Sequence, residues 1–369
     1  MNKILLMALL FSFFFSKAQK DKLPEKDEVM MIMESVANWQ LNEKLNHKLT
    51  DWTNGALYAG MMEFAKIAND QKYMDWLIDK GNKTNWEPHK RQNMLDRYHA
   101  DDYAVGIMYL EMFHIKGNGH MLDPILKLLN TIHANPSTVG LDFAFHRHQR
   151  PIERWSWCDA LFMAPPVWAK AYGITGEPKY LDFMYKEYKA TADFLYDHKE
   201  HLFFRDSRYF HQKEPNGQKM FWGRGNGWVL GGLPIILEEL PDTYNEKMWF
   251  EKLFVDMATR IASLQDETGY WHASMLDQES YPNPETSSSG FFIYSLAWGI
   301  NNGYLDYKKF QPVVLKGWNA LTEAVFPDGK LGWVQPIGEN PKNTTKEMTE
   351  VYGVGAFLLA GTEIYKLLK

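Results

Sequence analysis

A single cysteine, Cys158, stands in 369 residues, so no internal disulfide can form and the fold must be held by packing. Positive charge is not in excess either: 40 Lys and Arg face 46 Asp and Glu, a formal charge of −6. Without a basic cluster there is no footprint for nucleic acid or an anionic membrane surface, and neither partner is expected. No apolar run reaches the ~20 residues of a membrane-crossing helix, so membrane insertion is not expected. One shorter run, Ile4 to Phe15, follows Met1-Asn2-Lys3 and precedes Ser16-Lys17-Ala18. That is the pattern of a signal peptide over 1–18 with a mature start at Gln19, which predicts an exported protein, periplasmic or secreted. Losing Lys3 and Lys17 with it moves the formal charge to −8, and no cysteine lies nearby to carry a lipid. Metal-binding spacings are absent too: His146 and His148 have no second ligand cluster, and no His-Glu-x-x-His or cysteine-pair motif occurs. No metal and no cofactor are expected.

What is abundant is aromatic: 14 Trp, 19 Tyr and 22 Phe within a 45% hydrophobic chain call for a large core or a long aromatic cleft. Two stretches show helical periodicity. Phe250, Leu253, Phe254, Met257, Ala258, Ile261 and Leu264 share one face before Gly269, and Leu181, Met184, Tyr185, Tyr188, Ala192 and Leu195 do the same after Gly176-Glu177-Pro178. No βαβ rhythm appears. Similar breaks recur at Gly140-Leu141-Asp142-Phe143, His201-Leu202-Phe203-Phe204, Gly269-Tyr270-Trp271 and Lys330-Leu331-Gly332-Trp333, at steps of 61, 68 and 61 residues. A further step back reaches Gly81, another break. About 63 residues is two helices with connections, and the mature length divides into roughly 5.6 such units. Six helical hairpins closed into a toroid fit this count, with the final stretch pairing back onto the N-terminal helix, in one domain over 19–369.

Four segments carry possible chemistry. In Trp155-Ser156-Trp157-Cys158-Asp159-Ala160-Leu161-Phe162-Met163-Ala164-Pro165 a carboxylate sits beside two indoles. Apolar surroundings raise an Asp pKa toward that of a useful proton donor, while a plain helix cap is the competing reading. Trp222-Gly223-Arg224-Gly225-Asn226-Gly227-Trp228 reads as a loop whose glycines admit a ligand, with the guanidinium free for a carboxylate and the indoles for a sugar ring; a tight loop packed on its own tryptophans is the alternative. Tyr98-His99-Ala100-Asp101-Asp102-Tyr103 places two acids at a helix start, one able to cap and one to face a cavity. Glu285-Thr286-Ser287-Ser288-Ser289-Gly290 reads as a surface loop or a polar rim for sugar hydroxyls, the loop being preferred. Gly117-Asn118-Gly119 reads as a turn.

Taken together and in this order, these segments resemble the unsaturated uronyl hydrolases of glycoside hydrolase family 105, over roughly Trp52 to Leu368. The resemblance implies an all-α (α/α)6 barrel with short β-like loops at one end. It further implies Asp159 as general acid and base and Asp102 as the second acid, with Asp101 the substitute if the register slips by one. Trp157, His148, Trp222, Arg224 and Trp228 match substrate-contacting positions, and Thr53 is carried as another. Where some members have a histidine in a Tyr-His-Gly-Trp segment, this chain has Phe204-Arg205-Asp206-Ser207-Arg208-Tyr209; Arg205 and Arg208 are expected to bind an anionic group of the substrate instead.

The implied reaction is hydration of the C4=C5 double bond that polysaccharide lyases leave in a terminal uronate, so the enzyme would act downstream of a lyase on an unsaturated oligosaccharide. Rhamnose is the expected neighbouring sugar, as in rhamnogalacturonan or ulvan. Two rival expectations are an inverting glycosidase on saturated sugars, with paired carboxylates ~6.5–9.5 Å apart, and a carbohydrate-binding protein without turnover.

Overall fold

A computed structural model describes residues 23–90, 99–143 and 154–368. The expected signal segment lies outside these residues. The thirteen α-helices among them follow one alternating course. They are α1 (Lys26–Asn42), α2 (Trp52–Ile67), α3 (Lys72–Lys83), α4 (Gly106–Lys116), α5 (Asp123–Ala134), the single turn α6 (Ala160–Met163), α7 (Pro165–Thr175), α8 (Pro178–Leu195), α9 (Gly223–Glu239), α10 (Lys247–Ala262), α11 (Thr286–Asn301), α12 (Tyr307–Glu323) and α13 (Val351–Leu367).

Helices α2, α4, α7, α9, α11 and α13 pack each on the next, and α13 packs on α2, so the inner ring is closed. The other long helices stand outside it. This is the (α/α)6 barrel. Its sixth hairpin joins both ends of the chain, since α1 packs on α13, as the repeat count required.

Burial explains why only some helices were legible. The stripe on α10 is one buried face on an outer helix, Phe250 to Ile261, and the stripe on α8 likewise runs from Leu181 to Leu195. Inner helices are buried all round: every residue from Gly223 to Leu237 on α9 and from Thr286 to Ile300 on α11 is inside. A helix wrapped by neighbours on all sides needs no polar face and shows no period. Where α2 meets α13 the backbones touch, because a Cβ on Gly355 would stand 2.2 Å from the Ala56 carbonyl oxygen.

The alternation also sorts the connections. Inner-to-outer links, such as 68–71 and 176–177, are short, whereas outer-to-inner links, such as 196–222, 263–285 and 324–350, are long and gather at the N-termini of the inner helices. The little β structure present lies there: β1 (Tyr196–Asp197) against β2 (Leu202–Phe203), with isolated bridges such as Trp222 with Ser274 and Val325 with Leu331. Three of the expected breaks fall in these links; Gly81 does not, lying instead within α3 where the Trp86 ring closes on it.

Candidate active site

Asp159 immediately precedes the short helix α6, yet its side chain makes no capping hydrogen bond. The cap reading therefore fails. The Cys158 backbone N–H donates to the Arg205 carbonyl at 2.8 Å, tying this turn to the 196–222 link. The Asp159 residue is 8% exposed, with Oδ2 at 3.4 Å from Arg205 Nε and 3.5 Å from the Cys158 thiol, which donates to it. Burial pushes the Asp159 carboxyl above the usual carboxylate range, against the opposing pull of Arg205 and then Arg224. Burial wins because Arg205 Nε makes no hydrogen bond among the described residues, and a guanidinium without one stabilises a carboxylate less.

The second pair of acids comes in beside it. Residues Ala100–Tyr103 form one 3-10 turn that packs against α6, and the Trp157 ring lies 5.0 Å from the His99 ring. Within that turn Asp102 is 4% exposed, while Asp101 is more open, with Oδ2 at 3.6 Å from His99 Nδ1. The structure thus brings Asp159, Trp157, Asp101 and Asp102 to one end of the barrel. His148 lies outside the described residues.

The glycine segment is not a loop. Residues 223–228 are the opening turns of α9, and the glycines admit other parts of the protein: a Cβ on Gly223 would meet the His272 carbonyl oxygen at 2.4 Å, and one on Gly225 the Cys158 sulfur at 2.9 Å. Arg224 is fully buried, lies over the Trp222 ring at 4.5 Å, and donates to the carbonyl oxygens of Gln335 and Pro336. Trp222 is held through its own N–H, which donates to Gln335 Oε1 at 3.0 Å.

Two expected substrate contacts are corrected by their packing. Trp228 is sealed among Trp52, Phe162, Phe291 and Tyr352 and presents no open face. Thr53 is fully buried, and its hydroxyl donates to Asp51 Oδ1 at 2.6 Å within the N-terminal cap of α2. The Glu285 run is neither surface loop nor sugar rim: Glu285 is the buried cap of α11, accepting from the N–H groups of Ser287, Ser288 and Gln335. Arg205 and Arg208 do reach the same end, but not as open cations. Both bind the buried Asp206, and Arg208 also binds Glu339.

Gln335 and Glu339 were missed in the sequence because they stand 111 and 131 residues from the arginines they meet. Asp206 could have been found, since an acid between two arginines is visible locally.

With the geometry in place, a match of residues 25–368 to the model of Glycosyl Hydrolase Family 88 settles the kinship. The chain belongs to that family. It is a glycoside hydrolase, and the expected tie to unsaturated uronyl hydrolases is borne out by its relatives. It is 42% identical over 328 residues to an unsaturated 3S-rhamnoglycuronyl hydrolase of Formosa agariphila, covering 86% of this chain and 85% of that one. A protein of the same name from an Alteromonas species is 38% identical over 354 residues, with 90% and 84% covered. The solved structure of a family 88 glycosyl hydrolase from Bacteroides vulgatus superposes with a TM-score of 0.84 at 30% identity, over 94% of this chain and 100% of that one.

Proposed function

We propose that this family 88 hydrolase removes the 4,5-unsaturated uronic acid from the non-reducing end of lyase-generated oligosaccharides in which the next sugar is rhamnose. The reading rests on one observation above all: a buried Asp159 that caps nothing and is pushed toward its protonated form beside Trp157. Such a group can give a proton to C4 of the enol ether, which leaves oxocarbenium-like charge at C5. The resulting carboxylate then draws a proton from water as the water adds at C5. The hemiketal so formed opens and releases the neighbouring sugar. Asp102, buried on the turn that packs against α6, serves as the second acid. Trp157 forms a wall for the sugar ring, and Arg205 steadies the uronate carboxylate and the charge on Asp159 after transfer.

The relatives' name, together with the two arginines at this end, favours a sulfated, ulvan-type fragment over rhamnogalacturonan. Action outside the cytoplasm, after export, goes with the same reading, because lyase products of such polymers arise there. The test is the ultraviolet absorbance of the C4=C5 bond in lyase-generated disaccharides incubated with the protein. Loss of absorbance with wild type and none with Asp159→Asn supports hydration. Cleavage with the absorbance retained would instead mean a conventional glycosidase.

A further inference from the structure

The ion pairs around Arg208 differ sharply in how firmly they are held. Asp206 is fully buried, accepts from Arg208 Nε at 2.9 Å and Nη2 at 2.8 Å, and also binds Arg205 Nη1 at 2.7 Å. It is a fixed counter-ion that sets the two guanidiniums side by side. The Phe143 ring backs the Arg208 guanidinium at 4.4 Å.

Glu339 is the opposite case. Its side chain is 47% exposed, on the segment after Pro336, yet Oε2 stands 2.7 Å from Arg208 Nη2 and 3.5 Å from Arg205 Nη1. Water reaches both partners of this two-point pair and screens it, so an incoming anion can replace the carboxylate. The neighbouring Gln335 and Pro336 carbonyls hold Arg224, so the segment is anchored at its base while Glu339 lies on its open side.

Resting on the function proposed above, we infer that Glu339 is a specificity-determining residue. Its carboxylate occupies an anion subsite formed by Arg208 and Arg205, and a sulfate ester on the sugar next to the unsaturated uronate displaces it. Arg205 stands against Asp159 and so belongs with the uronate. Arg208 lies beyond Asp206 and is the more exposed of the two, which suits a group farther along the substrate. A tetrahedral sulfate presents oxygens to both N–H edges as the carboxylate does. Glu339 then competes with the sulfate alone: a sulfated sugar must displace the carboxylate, whereas a neutral one leaves the ion pair in place, so Glu339 sets how strongly sulfate is preferred.

The test compares sulfated and desulfated unsaturated disaccharides on wild type, Glu339→Gln and Arg208→Gln, with inorganic sulfate as a probe of the subsite. In Glu339→Gln the KM for the sulfated disaccharide should fall three- to tenfold relative to that for the desulfated one, kcat for the two should keep its ratio, and inhibition by inorganic sulfate should strengthen. In Arg208→Gln the preference for sulfate should vanish. Equal changes for both disaccharides in Glu339→Gln would overturn the inference, since the anion would then be the uronate common to both or the role of Glu339 merely structural. Absence of turnover of either disaccharide by wild type would instead overturn the function on which the inference rests.

Discussion

The two ends of the barrel hold acids in opposite ways. At the short-link end, where the inner helices finish, Glu111 on α4 accepts from Lys170 at 2.7 Å and from Lys66 at 2.8 Å, and Lys170 also reaches Glu239 at 3.1 Å. Burial alone would push the Glu111 carboxyl up, but the two ammoniums overcompensate and hold it at about 2. At the long-link end Asp159 is also buried beside a cation, and its carboxyl goes up. The difference is how many cations stand close and how they are engaged: the charges of Lys170 and Lys66, both donating to Glu111 within 2.8 Å, outweigh its burial, whereas Arg205 spends Nη1 on Asp206 and leaves its nearest nitrogen 3.4 Å from Asp159 without a bond. One cation at a distance does not offset burial; two close cations that also donate to the carboxylate do.

That contrast can be broken by removing either acid's charge. Asp159→Asn should give the largest effect, a fall in kcat of about 10²–10⁴-fold, the usual worth of a positioned proton donor. Its stability should move the other way. A folded-state pKa above the ordinary value means that stability is lost as pH rises through it, so the neutral isostere should unfold at the same or a higher temperature at pH 7. A lower Tm would show that the ionised Asp159 is a structural anchor after all.

Glu111→Gln should do the reverse, leaving kcat within about twofold while costing about 3 kcal/mol at neutral pH by leaving Lys170 without its main counter-charge. Its folded pKa is depressed, so the stabilisation is present above the ordinary value near 4.5 and is lost as pH falls toward about 2. Acid unfolding followed by circular dichroism should therefore lose part of its steepness in that window in the variant. An unchanged acid limb would deny Glu111 its role at the short-link end.

A smaller effect should separate structure from chemistry within the long-link end itself. Glu285→Gln removes the charge from a cap that holds three N–H groups, and should cost about 1 kcal/mol. Because one of those groups is Gln335, which fixes Trp222 and Arg224, KM should rise more than kcat falls. A kcat loss like that of Asp159→Asn would mean that the two acids work together in the reaction.

The outer helices could be read directly from sequence, since α8 and α10 each bury a single stripe. The inner helices could not, because burial on all sides erases the period. For that reason the glycine segment and the Glu285 run passed for loops: polar and small residues that normally mark turns are here the first turns of α9 and α11, buried where helices pack at close range. Asp159 was legible because its surroundings, Trp155 and Trp157, are its immediate neighbours. The same local logic overreached at Trp228 and Thr53, whose positions in the motif could not tell a cleft wall from the core behind it.

By itself the sequence determined the helical repeat of about 63 residues, the barrel that six such units close, and an acid set among indoles, because each of these follows from residues near one another in the chain. Only the tertiary structure decided which charges meet. Arg224 finds its partners 111 residues away and Arg208 finds Glu339 131 residues away, contacts made when the long links fold over the N-termini of the inner helices. Electrostatic fate depends on distance and hydrogen bonding in space, and spacing along the chain carries neither.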